Sequence, residues 1–547
     1  MTKAAEMAKT TTKSSFHLLW GLVASTIISA IGTIYIANLL TPNEYGLYTL
    51  AIAAATLVGV FRDWGINAAL IKYTAQCAAE DLPAKTKKVI SAGLIFEVAS
   101  GIILTIVGFL LSTLFASIYQ IAEIAPLIQI ASFTILINAF LVVAGASFTG
   151  LFRMELNSIT LIIQSITKVL LIPALVIIGL GVFGAIVGYT IAFLISGITG
   201  ILLLWLLYKN LPHSNTVRTN PEEIPHLETK NIIKMLLKYG LPLSIAAIIG
   251  AFQGQFYTIL MGVYVSTEAV GNYSLANTFV VLITFFATPI TTMLFPAFST
   301  LDPQKDKQAL QSVYQFSVKY ATLLVVPVAA IVMALAQPGI STLFGNKYAD
   351  APLFLTLLAL NYTYTAFGTL STGNLINGQG KTGFMLKLSL ITAAIGVPLS
   401  VILTQQLGVT GIIITVLTAG LPSQAISLVW IKKHYDLTID WGASAKIVFS
   451  SGLAGVLTFF LQSTLALASW ITLVIGAATF TLLFLPAILL TGAINKADVE
   501  NLRQMTTSLG PVNRLLSPIL TFIEKLLSKI KPSAEPPYSM PIKETPP

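Results

Sequence analysis

Four ionisable residues sit deep inside long apolar stretches of this chain: Arg62, Asp63, Glu97 and Lys168. A charge in hydrocarbon is costly, so such residues face a protein interior or a water-filled cavity and mark substrate or ion pathways. Each lies roughly 8–10 residues from the nearer polar end of its stretch, which at 1.5 Å per residue is ~12–15 Å deep. Arg62 and Lys168 are candidates for binding an anionic head group. Asp63 and Glu97 are candidates for a protonation or cation site, with H+ or Na+ as the coupling ion. The competing reading is a set of internal salt bridges, such as Arg62 with Glu97, that pin helices together. His17, at the mouth of the first apolar stretch, is a further head-group candidate, although an interfacial role is the plainer one. The second half of the chain has no matching charges: 225 residues after Arg62 and Asp63 stand Ala287 and Thr288. Its polar content is neutral. Gln253, Gln255 and Asn277, with Asn361 and Asn374, are candidates for contacts to sugar hydroxyls; interhelical hydrogen bonding is the plainer role of each.

Other chemistries find no support. There is no Gly-x4-Gly-Lys-Ser/Thr, no His-Glu-x-x-His and no Gly-x-Ser-x-Gly. His17, His213, His226 and His434 form no ligand cluster, and the single cysteine, Cys77, precludes an internal disulfide framework. The expectation is a protein that is not an enzyme and carries no cofactor or metal. ATP-driven pumping would need a partner to supply the ATPase.

The elements that position these residues follow from hydropathy. Of 547 residues, 55% are hydrophobic and 10% charged, against roughly 25% charged in soluble domains. The apolar runs are long enough to cross a ~30 Å hydrocarbon core. They predict about fourteen transmembrane helices, at 16–40, 46–71, 89–115, 124–149, 158–180, 182–207, 239–263, 270–298, 318–344, 352–376, 384–406, 409–431, 445–467 and 469–493. Residues 1–15 are polar and precede a full-length run, unlike a secretory signal peptide. With the N-terminus inside, nearly all 31 Lys and Arg fall in inside segments or inner span ends, and the outside loops hold one, Lys347. By the positive-inside rule both termini are cytoplasmic and the chain is multi-pass in the cytoplasmic membrane. The net charge of +9 is therefore a topology signal rather than a nucleic-acid footprint.

The chain repeats itself. GLYTLA (46–51) matches GNYSLA (271–276), LGVFGAI (180–186) matches LGVTGII (407–413), and Gly150 and Arg153 match Gly378 and Lys381, all at offsets of 225–228. A unit with an even number of spans gives halves of the same orientation, related by an axis along the membrane normal. The expected fold is an all-α polytopic membrane protein with two parallel-repeat six-helix lobes and two further helices. Its parts are an N-terminal lobe (1–208), a cytoplasmic linker (209–238), a C-terminal lobe (239–433), two extra spans (443–493) and a cytoplasmic tail (494–547). In the tail, 511–531 reads as an amphipathic helix on the inner membrane surface, followed by a disordered Pro-rich end. Pro173, Pro242, Pro289, Pro327 and Pro398 fall inside spans, where they kink helices or free backbone groups.

LLTPNEYGLYTLA (39–51), FRDWGINAALIKY (61–73) and FTGLFRMELNSI (148–159) resemble segments of the polysaccharide-biosynthesis transporters, the Wzx-like oligosaccharide flippases of the multidrug/oligosaccharidyl-lipid/polysaccharide (MOP) exporter superfamily. The likeness extends over nearly the whole chain. It implies a six-plus-six helix fold, often with two more helices, and a substrate of isoprenoid phosphate or pyrophosphate bearing an oligosaccharide. It also implies basic cavity residues for the phosphates, with Arg62 and Lys168 as candidates here; an adjacent Arg-Asp pair is not general in the family. The favoured reading is a monomeric flippase for a lipid-linked oligosaccharide that works by alternating access among membrane lipids. A cation-coupled multidrug antiporter of the same superfamily is the alternative. A membrane-embedded glycosyltransferase or ligase, which would want catalytic residues on long outside loops, and a structural scaffold are rivals of other classes.

Overall fold

The computed structural model describes residues 3–80, 82–210, 228–464, 467–495, 498–501 and 503, with positions 517, 518, 521 and 524; side chains are described from Trp20 onward, except at 210, 243, 282, 285–293 and 295–297. Most of the 209–238 linker, the 511–531 segment apart from those four positions, and the Pro-rich end lie outside the described residues. Every regular element among the described residues is helical. Among the described residues ten helices are long and apolar enough to cross a membrane, or eleven if one bent pair counts as a span. The contacts divide the chain into two compact units. One comprises residues 1–278, 347–350 and 389–415, the other 279–346, 351–388 and 416–547.

In the first unit, α1 (Lys3–Leu39) is followed after two residues by α2 (Pro42–Gly59). The start of α2 is written in its sequence. Thr41 Oγ1 accepts from the Glu44 amide (3.2 Å) while the Glu44 carboxylate accepts from the Thr41 amide (2.7 Å), a reciprocal cap with Pro42 at the first helical position. The span expected at 46–71 is not one helix. It breaks over Val60–Gly65 and resumes as α3 (Ile66–Ala79). Two features set the restart as α3. The Asp63 carboxylate, two residues ahead of the N-cap Gly65, accepts from the amides of Gly65 (3.0 Å) and Asn67 (3.2 Å) and so satisfies donors at the start of α3. Gly65 has φ +86, and its backbone packs so tightly on Gly240 that a Cβ would collide. Hydropathy carries neither signal.

Next come α4 (Pro83–Tyr119), α5 (Ile124–Gly150) and α6 (Met154–Leu175). Beyond Pro173, α6 loosens into a π-helical turn (Val176–Leu180), and the chain reverses into α7 (Gly181–Asn210). The left-handed Gly179 (φ +95) and Gly181 (φ +50) make that reversal. The two helices form an antiparallel hairpin, with Ser196 Oγ donating to Thr160 O (2.8 Å) and Gly188 packed on Ile172. Helix α6 lies parallel to α1 through Gly21 on Ser158, Ser29 to Ser165 (3.0 Å) and Gly32 on Val169. Small residues let these backbones approach closely, as is usual where lipid provides no hydrophobic drive. The unit is completed by α8 (Thr229–Tyr264) and by parts of three helices that cross its boundaries: α9 (Thr267–Ser299), α14 (Thr382–Leu407) and α15 (Val409–Ala419).

The second unit holds α10 (Lys307–Ala334), α11 (Ala336–Phe344), α12 (Ala351–Leu360) and α13 (Thr369–Gly378). The span expected at 352–376 is bent by 53° between a 3-10 stretch ending at Phe367 and α13, where Gly368 has φ +75. The unit ends with α16 (Leu421–Tyr435), α17 (Trp441–Thr464) and α18 (Ser469–Leu490). Buried Asp498 ties the start of the tail to α10: it accepts from Lys319 (2.6 Å) and from the Tyr320 hydroxyl (3.2 Å).

Candidate functional site

Within the first unit a cavity of ≈ 420 Å³ opens among α1, α2, α6, α7, α8 and α9. Helix α6 brings Lys168 to its wall, and α8 and α9 bring Gln255 and Asn277. Three of the residues singled out in the sequence thus share one cavity, although more than 100 positions separate Lys168 from Asn277. Helix α7 places Tyr189 beside the lysine, whose Nζ stands 5.0 Å from the ring centroid. A ring face attracts an ammonium by about 0.5–2 kcal/mol but does not neutralise it. Among the described residues no carboxylate lies within ion-pair distance of Lys168, and none lines the cavity.

The remaining wall carries tyrosine rings and hydroxyls beside the apolar Ile36, Ile52, Ala53 and Val169. Tyr48 meets Tyr189 edge-on at 6.1 Å and stacks with Tyr45 at 6.0 Å. Tyr45 in turn meets the buried Tyr348, whose hydroxyl donates to Ala37 O at 2.9 Å. Ser29, Thr33, Thr49, Thr56, Thr258 and Ser274 contribute hydroxyls. Sequence reasoning missed the tyrosines, which carry no charge to mark them inside apolar stretches. The available signal was Tyr45 and Tyr48, three residues apart on one helical face, with Tyr48 in the repeated segment and Tyr45 just before it.

The other charges lie elsewhere. On α2 the lining ends at Thr56, short of Arg62. Arg62 forms an ion pair with Glu97 of α4; the residues are 6% and 0% exposed. The Arg62 carbonyl, freed by the helix break, accepts from Ser100 Oγ (3.1 Å), while Glu97 Oε1 has no partner among the described residues. Asp63 is engaged at the start of α3. Gln253 donates to the Tyr257 hydroxyl (2.5 Å) and does not line the cavity. Asn374 donates to Leu370 O within α13. The His17 side chain lies outside the described residues.

A second cleft, of ≈ 760 Å³ in the other unit, collects Lys307, Lys381, Lys433 and His434. Its acids are occupied. Asp436 pairs with Lys307 (2.7 Å), which holds its carboxyl below the usual range, and Asp302 accepts from the amides of Gln304 and Lys305, with the same effect. These lysines fall at helix ends and loops, where topology-determining residues sit.

Known proteins are similar to this chain in sequence and in fold. The family model described as polysaccharide biosynthesis protein matches residues 11–302, more than half of the chain. The lipopolysaccharide biosynthesis protein WzxC of Escherichia coli is 22% identical over 402 residues, 72% of this chain and 75% of its own length. The probable low-salt glycan biosynthesis flippase Agl15 of Haloferax volcanii is 23% identical over 269 residues, 47% of this chain and 55% of its own. Among solved structures, the lipid II flippase MurJ in an inward closed conformation superposes with a TM-score of 0.64 at 14% identity, covering 86% of this chain and 97% of that one. An inward-facing multidrug resistance MATE family transporter of the MOP superfamily gives 0.59 at 18% identity, covering 75% and 94%. The fold is that of the MOP transporters, and the chain belongs to the polysaccharide biosynthesis protein family.

Proposed function

We propose that this protein is a flippase that moves a lipid-linked oligosaccharide across the cytoplasmic membrane by alternating access. The observation that carries the reading is the cavity around Lys168: a cation with no acidic partner among the described residues, set in a wall that carries tyrosine rings, hydroxyls and amides. The lysine would take the phosphate of the carrier lipid. The tyrosine faces, Gln255 and Asn277 would take the sugars, whose rings offer apolar C–H faces and hydroxyl rims. The lipid tail would stay in the bilayer, outside the cavity. The families of WzxC and Agl15, and the fold shared with MurJ, support the same class of substrate. A multidrug antiporter fits less well, because a site for organic cations wants an acid and the described lining has none.

In this reading the chain has fourteen spans in two parallel six-helix repeats, 1–208 and 239–433, with two added helices. The α6–α7 hairpin supplies two spans where length and hydropathy alone count one stretch, Met154–Lys209. The broken α2–α3 pair and α9 supply two more. Asp63 and Glu97 remain the acids available for coupling to H+ or Na+, and the carrier would be an isoprenoid phosphate or pyrophosphate.

Orientation has a direct test. In a chain whose buried Cys77 is replaced by Ala, a membrane-impermeant thiol reagent applied to intact cells should label a cysteine at Lys347 and spare one at Arg218. The reverse labelling would invert the proposed topology. Function is tested in proteoliposomes carrying a fluorescent lipid-linked oligosaccharide in both leaflets. The protein should bring the inner pool within reach of an added glycosidase. Cleavage that stops at the outer leaflet, together with uptake or efflux of a cationic dye, would favour the antiporter.

A further inference from the structure

The two copies of the repeated hexapeptide, GLYTLA in α2 and GNYSLA in α9, are packed against each other. Thr49 Oγ1 donates to Ser274 Oγ at 2.9 Å, a bond between positions 225 apart, the offset of the repeat itself. A Cβ on Gly46 would collide with the carbonyl of Thr267, and a Cβ on Gly271 with the carbonyl of Pro42. The second contact is the first with the partners exchanged. That reciprocity is the mark of an isologous interface, here between halves of one chain. The entrances of the two helices match as well. Thr41 caps α2 and Ser266 Oγ accepts from the Ala269 amide at the start of α9 (3.2 Å), again 225 positions apart. Thr267 Oγ1 also donates to Asn43 Oδ1.

This contact has a definite relation to the cavity. Thr49 and Ser274 line it, together with Tyr45, Thr278 and Asn277. Gly46 and Gly271 lie one turn nearer the helix starts. The backbones therefore meet at the end of the cavity that faces the Thr41 and Ser266 caps, and a side chain at either glycine would hold them apart. Among the described residues the atoms nearest each glycine across this contact are backbone. A contact of glycine backbone with the polar pairs Thr49–Ser274 and Asn43–Thr267 lets the helices approach closely, and its hydrogen bonds can pass to water as they part.

From this geometry we propose that the repeated hexapeptide is a self-complementary gate. When its copies dock, the cavity is shut toward the face of the Thr41 and Ser266 caps, and transport requires them to separate. The proposal rests on the transport reading for its role and on the topology above for calling that face external. The glycine positions of the repeat are then explained by the gate, since they are where the two copies of the motif touch.

The test separates the gate from the transport reading by measuring access as well as flux, in the Cys77→Ala background. In an Asn43→Cys/Thr267→Cys chain, at a contact outside the cavity lining, a short bis-thiosulfonate linker should join the two helices. Labelling of a third cysteine at Ile52 on the cavity wall by an external impermeant reagent should then fall to background, and glycan flipping should stop and return on reduction. In Gly46→Leu and Gly271→Leu chains of normal abundance, external labelling at the Ile52 cysteine should rise by about tenfold as the closed population is lost. Failure of the linker to form, or flipping by the linked chain, would overturn the gate. Labelling that responds as expected with no glycan flipped by the parent chain would leave the gate standing and reject the substrate reading instead.

Discussion

A Lys168→Met chain should reach the membrane at normal abundance and lose roughly 100-fold in glycan export, the equivalent of about 3 kcal/mol for removing a desolvated charge partner. The first half of the expectation follows from the lysine's surroundings. No acid pairs with it among the described residues, so its removal strands nothing. Methionine keeps an unbranched apolar stem at the position whose ammonium stands by the Tyr189 ring. The second half follows from what the ammonium is for. A phosphate drawn from water into a cavity of aromatic and hydroxyl groups needs a fixed positive partner, and the described lining offers no other. Lys168→Arg preserves the charge in a bulkier, planar form and should retain export to within about tenfold. Surface glycan and membrane-protein level, measured on the same cells, decide the matter. Normal export by an abundant Lys168→Met chain would reduce the lysine to a packing residue on Tyr189 and remove the anchor from the proposed site.

The second large effect is on folding. Arg62→Met alone should lower abundance sharply, because it leaves the Glu97 carboxylate fully buried with neither oxygen paired. Stranding one member of a buried pair costs about 3–5 kcal/mol, a large share of the ~5–15 kcal/mol that holds a typical native fold. The paired Arg62→Met/Glu97→Leu chain removes both charges and should recover most of the abundance, since a buried ion pair is seldom more stable than an apolar replacement of similar volume. The cycle also speaks to function. If the paired chain exports normally, Arg62 is not a head-group ligand and Glu97 is not a coupling site. If it is abundant and inactive, the pair works in transport, and the partnerless Glu97 oxygen becomes the place to look for a proton.

How far the sequence could be read is clearest at single positions. The cap of α2 at Thr41-Pro42-x-Glu44 is local chemistry within four residues, and it is formed as written. The repeat was visible as three short matches. That its glycines are contact points was not, because a sequence match reports likeness of environment and not who touches whom. The break at Val60–Gly65 escaped hydropathy because one acid and one glycine hardly alter the mean of a long apolar window. Only the close approach of Gly240 and the reach of Asp63 to the Gly65 amide turn them into the start of a new helix. The lining tyrosines carry no one-dimensional mark, and only the packing of α2 and α7 brings Tyr45, Tyr48 and Tyr189 to one cavity.

By itself the sequence determined the membrane character, the helical class and the family, because each is a property of residues near one another in the chain: transfer free energy summed along a span, and short motifs. It also determined which few charges had to matter. It could not decide what each charge was for. Arg62, Glu97 and Lys168 carry the same one-dimensional signal, an ionisable group deep in an apolar run. Tertiary structure separated them by bringing Glu97 of α4 to Arg62 and, among the described residues, a tyrosine ring but no carboxylate to Lys168. The fate of a buried charge is set by its nearest partner in space, and in a bundle of long helices that partner is usually tens to hundreds of residues away.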